Sequence, residues 1–248
     1  MPLVACRIAA AKYNVGNRLP MCMGFMDSKA NYHALCERIA AAAQRAGREV
    51  KLLAVSKTQP AAAVRGLAAL GQRAFGENYV QEALAKQSDL ADLDLEWHAI
   101  GPLQSNKARE VAAHFDWLQS LDRIKLVAAL DRSRPAARPP LQVLIQVNVD
   151  DEASKSGCAP DEIGALAEAV DAAPRLTLRG LMAIPAPDPD LRRREAAFAR
   201  MRALFEDLRR TQPQADTLSM GMSDDFEAAI AHGATLVRVG SALFGPRG

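Results

Sequence analysis

Short apolar runs recur along the chain, each closed by small or polar residues and followed by a stretch whose apolar positions return at helical spacing. The runs predict strands at Leu52–Ser56, Ala74–Gly76, Glu96–Ile100, Trp117–Ser120, Val143–Asn148, Leu178–Ala183, Thr217–Met220 and Leu236–Val239. Between them lie helical patterns. Phe198, Met201, Phe205 and Leu208 recur among many arginines ahead of the seventh strand, a stripe that reads as core packing. An opening helix from about Asp27 to Ala46 puts Tyr32, Leu35, Cys36, Ile39 and Ala43 on one face and stops at Gly47, a residue suited to a left-handed cap. Arg134–Pro140 and Ile184–Asp190 are proline-rich and read as loops. Eight strand–helix alternations in about 200 residues predict an α/β fold, a single (β/α)8 TIM-type barrel.

The 248 residues, 49% hydrophobic and 24% charged, suit a globular protein with a sizeable core. No linker divides the chain, so the barrel is expected to span residues 26–248. Residues 1–25 are expected to be a disordered extension. Arg7, Lys12 and Arg18 interrupt their apolar pieces, which argues against a signal peptide or a membrane span. Met21, Met23 and Met26 offer a misplaced start codon as the alternative explanation.

Charge and cysteine usage narrow the function. The 31 basic and 29 acidic residues are mixed along the chain and leave a net charge of +2, so no phosphate-neutralising face is evident and nucleic acid is not expected as a partner. Cys6, Cys22, Cys36 and Cys158 are far apart, and His33, His98, His114 and His232 do not stand at metal-ligand spacing from them. Reduced thiols, a cytoplasmic location and no metal site are expected.

A barrel gathers its chemistry where strands end and the following loops begin. Lys57 closes the first apolar run, where a half-buried amine could attack an aldehyde; the alternative is a solvated strand stop. Asn78, after the second strand, either faces the same mouth or caps a helix, and Asn148 and Met182 follow the fifth and sixth. After strands seven and eight come Ser219-Met220-Gly221-Met222-Ser223-Asp224-Asp225 and Val237-Arg238-Val239-Gly240-Ser241. Small residues at two neighbouring helix starts can hold a phosphate through backbone N–H groups and the Ser223 and Ser241 hydroxyls, or can merely cap those helices. Arg238 stands between two valines; if they face the outer helices, it faces the barrel interior and needs an acceptor, for which a cofactor ring nitrogen would serve.

An imine-forming lysine, a phosphate cradle and an arginine for a pyridine nitrogen together point to pyridoxal 5'-phosphate. The segments AVSKTQP, FGENYVQEA, WHAIGPLQSNKAR, QVNVDDEASKSG, RGLMAIP and SMGMSDDFEAAIAHGATLVRVGSALFG match, in order, the motifs of the pyridoxal phosphate homeostasis protein family, over about Met26 to Gly245. The resemblance implies an alanine racemase N-terminal domain-like barrel with the cofactor in a Schiff base to Lys57. It further implies Ser223, Gly240 and Ser241 at the phosphate, Arg238 at the pyridine nitrogen, and Asn78, Met182 and Met222 around the ring.

What the resemblance implies about function is a protein that buffers pyridoxal phosphate, influences vitamin B6 and amino-acid balance, and hands the cofactor to apo enzymes without robust catalysis; a monomer is expected. An always-cationic arginine at the pyridine nitrogen weakens the ring as an electron sink. Alanine racemase also draws a tyrosine acid/base from a C-terminal β-domain that this chain is expected to be too short to contain; its tyrosines are Tyr13, Tyr32 and Tyr79. Two alternatives stay open: a pyridoxal phosphate-dependent amino-acid racemase, and an aldolase-type barrel with a phosphosugar in the cradle, for which Lys155 is the competing lysine.

Overall fold

The structure, a computed structural model, describes residues 22–150, 156–185 and 190–245. Eight parallel strands close on themselves in sequence order: β1 (Lys51–Val55), β2 (Ala74–Glu77), β3 (Glu96–Ala99), β4 (Trp117–Leu121), β5 (Leu141–Gln146), β6 (Leu176–Met182), β7 (Thr217–Ser219) and β8 (Leu236–Val239). The helices are α1 (Cys22–Ala46), ahead of β1, then α2 (Ala61–Ala69), α3 (Val80–Asp89), α4 (Ala108–His114), α5 (Ile124–Ser133), α6 (Ile163–Asp171), α7 (Leu191–Thr211), α8 (Phe226–Ala231) and α9 (Ser241–Phe244). The predicted (β/α)8 barrel is therefore the fold, with each strand displaced by no more than a few residues from its expected place.

The α1 helix begins at Cys22, inside the segment expected to be an extension; residues 1–21 lie outside the described residues. Its Leu35, Ile39 and Ala42 are buried, and it ends at Gly47 with φ +63°, a left-handed conformation that glycine adopts without a Cβ penalty. The α7 stripe is core as expected: Phe198, Met201, Phe205 and Leu208 are all buried.

Alternation along the strands builds two layers. Phe75, Leu118, Ile145, Leu181, Val237 and Val239 face outward into one large core shared with the helices. Inside the barrel the apolar packing is much smaller: Leu53 with Ile100 and Leu236, and Trp117 with Leu144 and Met182. Between these two clusters the interior is polar, with His98, Gln119, Ser219 and Arg238 all buried. Such a filling demands hydrogen bonds within it, because a buried polar group without a partner costs about 1–3 kcal/mol.

One proline-rich loop carries structure the sequence does not announce. Arg134, in the proline-rich loop after α5, is 2% exposed and donates to the carbonyls of Ala112, Phe115 and Pro139 at 2.6–2.8 Å, pinning α4 to that loop. Desolvation pushes its guanidinium down to about 10. Of the other proline-rich loop, residues 186–189 lie outside the described residues, as does the 151–155 segment that holds Lys155.

Candidate cofactor site

At the C-terminal ends of the strands lies a cavity of about 350 Å³, whose wall includes Lys57, Asn78, Met222, Ser223, Arg238, Gly240 and Ser241, with Asp224, Ile184 and Phe244 among its other residues. Seven of the eight residues expected at the site thus meet around one space. The volume falls at the small end of the roughly 300–1,000 Å³ typical of cofactor and small-molecule sites.

Met182 is the exception. As the last residue of β6 it is level with Ser219 of β7 and fully buried against Trp117 and Leu144, below the cavity. Because β6 runs on to Met182, the residue that reaches the wall is Ile184, two positions later on the same face. Asn78 is not a helix cap, since α3 begins at Val80 and Tyr79 occupies its N-cap position. Asn148 pairs through its backbone with the Cys158 carbonyl and is not on the cavity wall.

The loops after β7 and β8 converge. Ser241, the first residue of α9, donates its hydroxyl to Ser223 Oγ at 2.9 Å, and the Ala242 N–H donates to the same oxygen at 3.3 Å. Two hydroxyls and a helix-start N–H at one spot have the chemistry of an anion cradle. The Met222 N–H donates to Asp225 Oδ1 at 2.6 Å, fixing the loop that presents Ser223. Glycine is required where the wall is tightest: a Cβ at Gly101 would lie only 2.4 Å from the Asn78 carbonyl oxygen, while one at Gly240 would crowd the Val55 carbonyl oxygen at 3.1 Å.

Arg238 forms the floor. It is 4% exposed while Val237 and Val239 pack outward, the arrangement the sequence alternation implied. Its Nη1 donates to Ser219 Oγ at 2.7 Å and its Nη2 to the Ala183 carbonyl at 2.8 Å. The bonding then continues in one direction: Ser219 Oγ donates to Gln119 Oε1 at 2.7 Å, Gln119 Nε2 donates to His98 Nδ1 at 2.9 Å, and His98 Nε2 donates to Glu96 Oε1 at 2.8 Å. Because His98 Nδ1 must accept, the ring is a neutral Nε2–H tautomer, stacked on Trp117 with centroids 5.1 Å apart. Burial holds the His98 pKa below its usual value. Burial also pushes the Arg238 guanidinium down to about 10, which leaves it cationic at neutral pH.

Lys57, half-buried, follows β1 by two residues, and the turn around it is backed by charge. Lys86 Nζ, on α3, lies 2.8 Å from both Glu77 Oε1 and Glu82 Oε1, and Ser56 Oγ donates to Glu77 Oε1 at 2.6 Å. Desolvation, the strongest influence on Glu77, raises its carboxyl pKa against the pull of Lys86 and Ser56. None of Glu82, Lys86 or Gln119 stands out in the sequence as functional. The available signal was the Glu82–Lys86 spacing on one helix face, which reads as an ordinary surface pair until the fold buries its lysine.

With its lysine, paired serines and buried arginine at the C-terminal mouth, the closed barrel is of the alanine racemase N-terminal domain class, and that family matches residues 30–248. The chain is 60% identical over 220 residues to a pyridoxal phosphate homeostasis protein of Pseudomonas aeruginosa, covering 88% of this chain and 94% of that protein. To the protein of the same name from Escherichia coli it is 54% identical over 217 residues, covering 85% and 93%. The chain belongs to the pyridoxal phosphate homeostasis protein family. Its fold also superposes on PipY of Synechococcus elongatus, a structure with pyridoxal phosphate bound, with a TM-score of 0.74, 42% identity, and coverage of 84% of this chain and 99% of PipY.

Proposed function

We propose that this chain is a pyridoxal phosphate carrier of vitamin B6 homeostasis, holding the cofactor covalently on Lys57 without robust turnover. The observation that carries the reading is the single cavity wall on which Lys57, the Ser223–Ser241 pair and Arg238 meet. Its relatives' names and the cofactor bound in PipY support it. Pyridoxal phosphate supplies an aldehyde that condenses reversibly with a lysine amine, releasing water, so that a second amine can release it.

The residues present fit that group. Ser223, Ser241 and the Ala242 N–H supply hydrogen-bonding groups for a phosphate, and Gly240 stands on the same wall, packed against Val55. Arg238, locked by Ser219 and Ala183, would donate to the ring nitrogen without delivering a proton, since an arginine stays cationic. Carbanion chemistry is weakened accordingly. Tyr79, next to Asn78, is 62% exposed at the N-cap of α3 and is not on the cavity wall, so it is not placed to exchange a proton with a bound amino acid.

Delivery to apo enzymes and a monomeric state belong to the same reading. Among the described residues no helix is long and apolar enough to cross a membrane.

The test is an absorption spectrum of the purified protein before and after borohydride, with peptide mapping and a Lys57→Ala control. A band that is lost on reduction and maps to Lys57 supports the reading; a protein that takes up no added pyridoxal phosphate overturns it. Fast appearance of the D-form from L-alanine would instead favour the racemase.

A further inference from the structure

The turn that carries Lys57 is strained, and it is gripped from both sides. Thr58 has φ +65°, the only positive φ among the described residues other than glycine. A β-branched residue there is a genuine outlier, and such strain persists only where surrounding contacts impose it.

Those contacts come from α3. The Thr58 N–H donates to Glu82 Oε1 at 2.6 Å, and one residue before Lys57 the Ser56 carbonyl accepts from Lys86 Nζ at 2.7 Å. Glu82 and Lys86 pair with each other at 2.8 Å, one helical turn apart. A single ion pair therefore holds the peptide group on each side of Lys57. Glu77, 1% exposed and bonded to both Lys86 and Ser56, anchors that pair to β2.

We infer that Glu82 and Lys86 are positioning residues that hold the backbone of Lys57, through Ser56 and the left-handed Thr58, in the conformation from which its amine meets the cofactor aldehyde. Without the Glu82 acceptor, Thr58 relaxes toward negative φ and carries Lys57 with it. A displacement of this kind slows covalent attachment rather than abolishing the fold. The inference rests on Lys57 being the attachment point.

A purely structural role, anchoring α3 to the barrel, makes a different prediction. Its loss would not depend on which residue occupies position 58. Glycine adopts the left-handed conformation without the Cβ penalty, so Thr58→Gly removes the strain that Glu82 must hold.

The experiment compares Glu82→Ala, Glu82→Gln, Thr58→Gly and the Glu82→Ala/Thr58→Gly double variant as full-length apo proteins. The rate of covalent attachment of added pyridoxal phosphate is followed by absorbance, and urea unfolding is measured in parallel. Glu82→Ala is expected to slow attachment by ~10-fold, within what a displaced reacting group costs. Glu82→Gln, which keeps an acceptor for the Thr58 N–H, stays close to wild type. Thr58→Gly alone changes the rate by less than about twofold and, in the double variant, recovers most of the loss.

Wild-type attachment rates in Glu82→Ala, or a double variant as slow as Glu82→Ala, would overturn the inference. Borohydride mapping of the wild type separates this from failure of the carrier reading. An adduct on Lys57 with an unaffected Glu82→Ala sinks only the positioning role; an adduct elsewhere, or none, sinks both.

Discussion

The two walls of the cavity bury charge by opposite means. Behind Lys57, the one ammonium of Lys86 is bonded directly to two carboxylates, Glu77 and Glu82, each at 2.8 Å. Under Arg238, among the described residues, no carboxylate is bonded to the cation. Its charge is spread into a chain of neutral donors and acceptors, Ser219, Gln119 and His98, that reaches a carboxylate only at Glu96, on the opposite rim of the barrel. The difference suits the tasks proposed for the two walls. A salt bridge fixes a backbone firmly, whereas a carboxylate directly on Arg238 would compete with a ring nitrogen for its donors.

The largest test of this contrast is Lys86→Met. Breaking a buried pair on one side leaves a charge without compensation, so it should cost ~3–5 kcal/mol in urea unfolding, and adding Glu77→Leu should return much of that. A cost below ~1 kcal/mol would show that the wall does not depend on its ion pair.

Arg238→Met comes next. Losing the charged donor proposed for the ring nitrogen should weaken cofactor retention by ~10–100-fold, the equivalent of ~1.5–3 kcal/mol, in an absorbance titration. An unchanged affinity would remove the arginine from the site.

Gln119→Leu interrupts the neutral chain and leaves His98 Nδ1 and Ser219 Oγ each short of a partner. About 1–3 kcal/mol of stability should be lost, less than at Lys86. An equal or larger loss would erase the contrast between the walls.

The smallest effect is on pH dependence. The folded protein holds His98 below the usual histidine value, so between the two values the unfolded chain binds the extra proton. His98 therefore contributes stability that is present above pH ~6.5 and is lost as pH falls from there toward its folded value. Melting temperatures followed downward from pH 7 should drop more steeply in wild type than in His98→Asn; parallel curves would mean that His98 is not held neutral by the fold.

How much was legible beforehand follows from which signals are local. The strands announced themselves because a buried parallel strand is a short apolar run, and Arg238 betrayed its direction because two valines flank it. Lys57, Ser223, Gly240 and Ser241 could be placed because a barrel confines its site to the ends of its strands. Met182 lies off the cavity wall, packed with Trp117 and Leu144, since where β6 stops depends on its pairing with β5 and β7 rather than on its own residues. Glu82 and Lys86 carry no sequence signal beyond their spacing of four; only the docking of α3 against β2 buries the lysine and aims it at Ser56.

The sequence by itself determined the barrel, its strand order, the family and most of the cavity wall, because periodicity and strand-end position are properties of the chain read in order. The tertiary structure alone decided what the interior residues bond to. Gln119 meets Ser219 from 100 positions away, and Lys86 meets Ser56 from 30. Closure of the sheet brings such residues within 3 Å of each other, and burial then makes each of their hydrogen bonds obligatory.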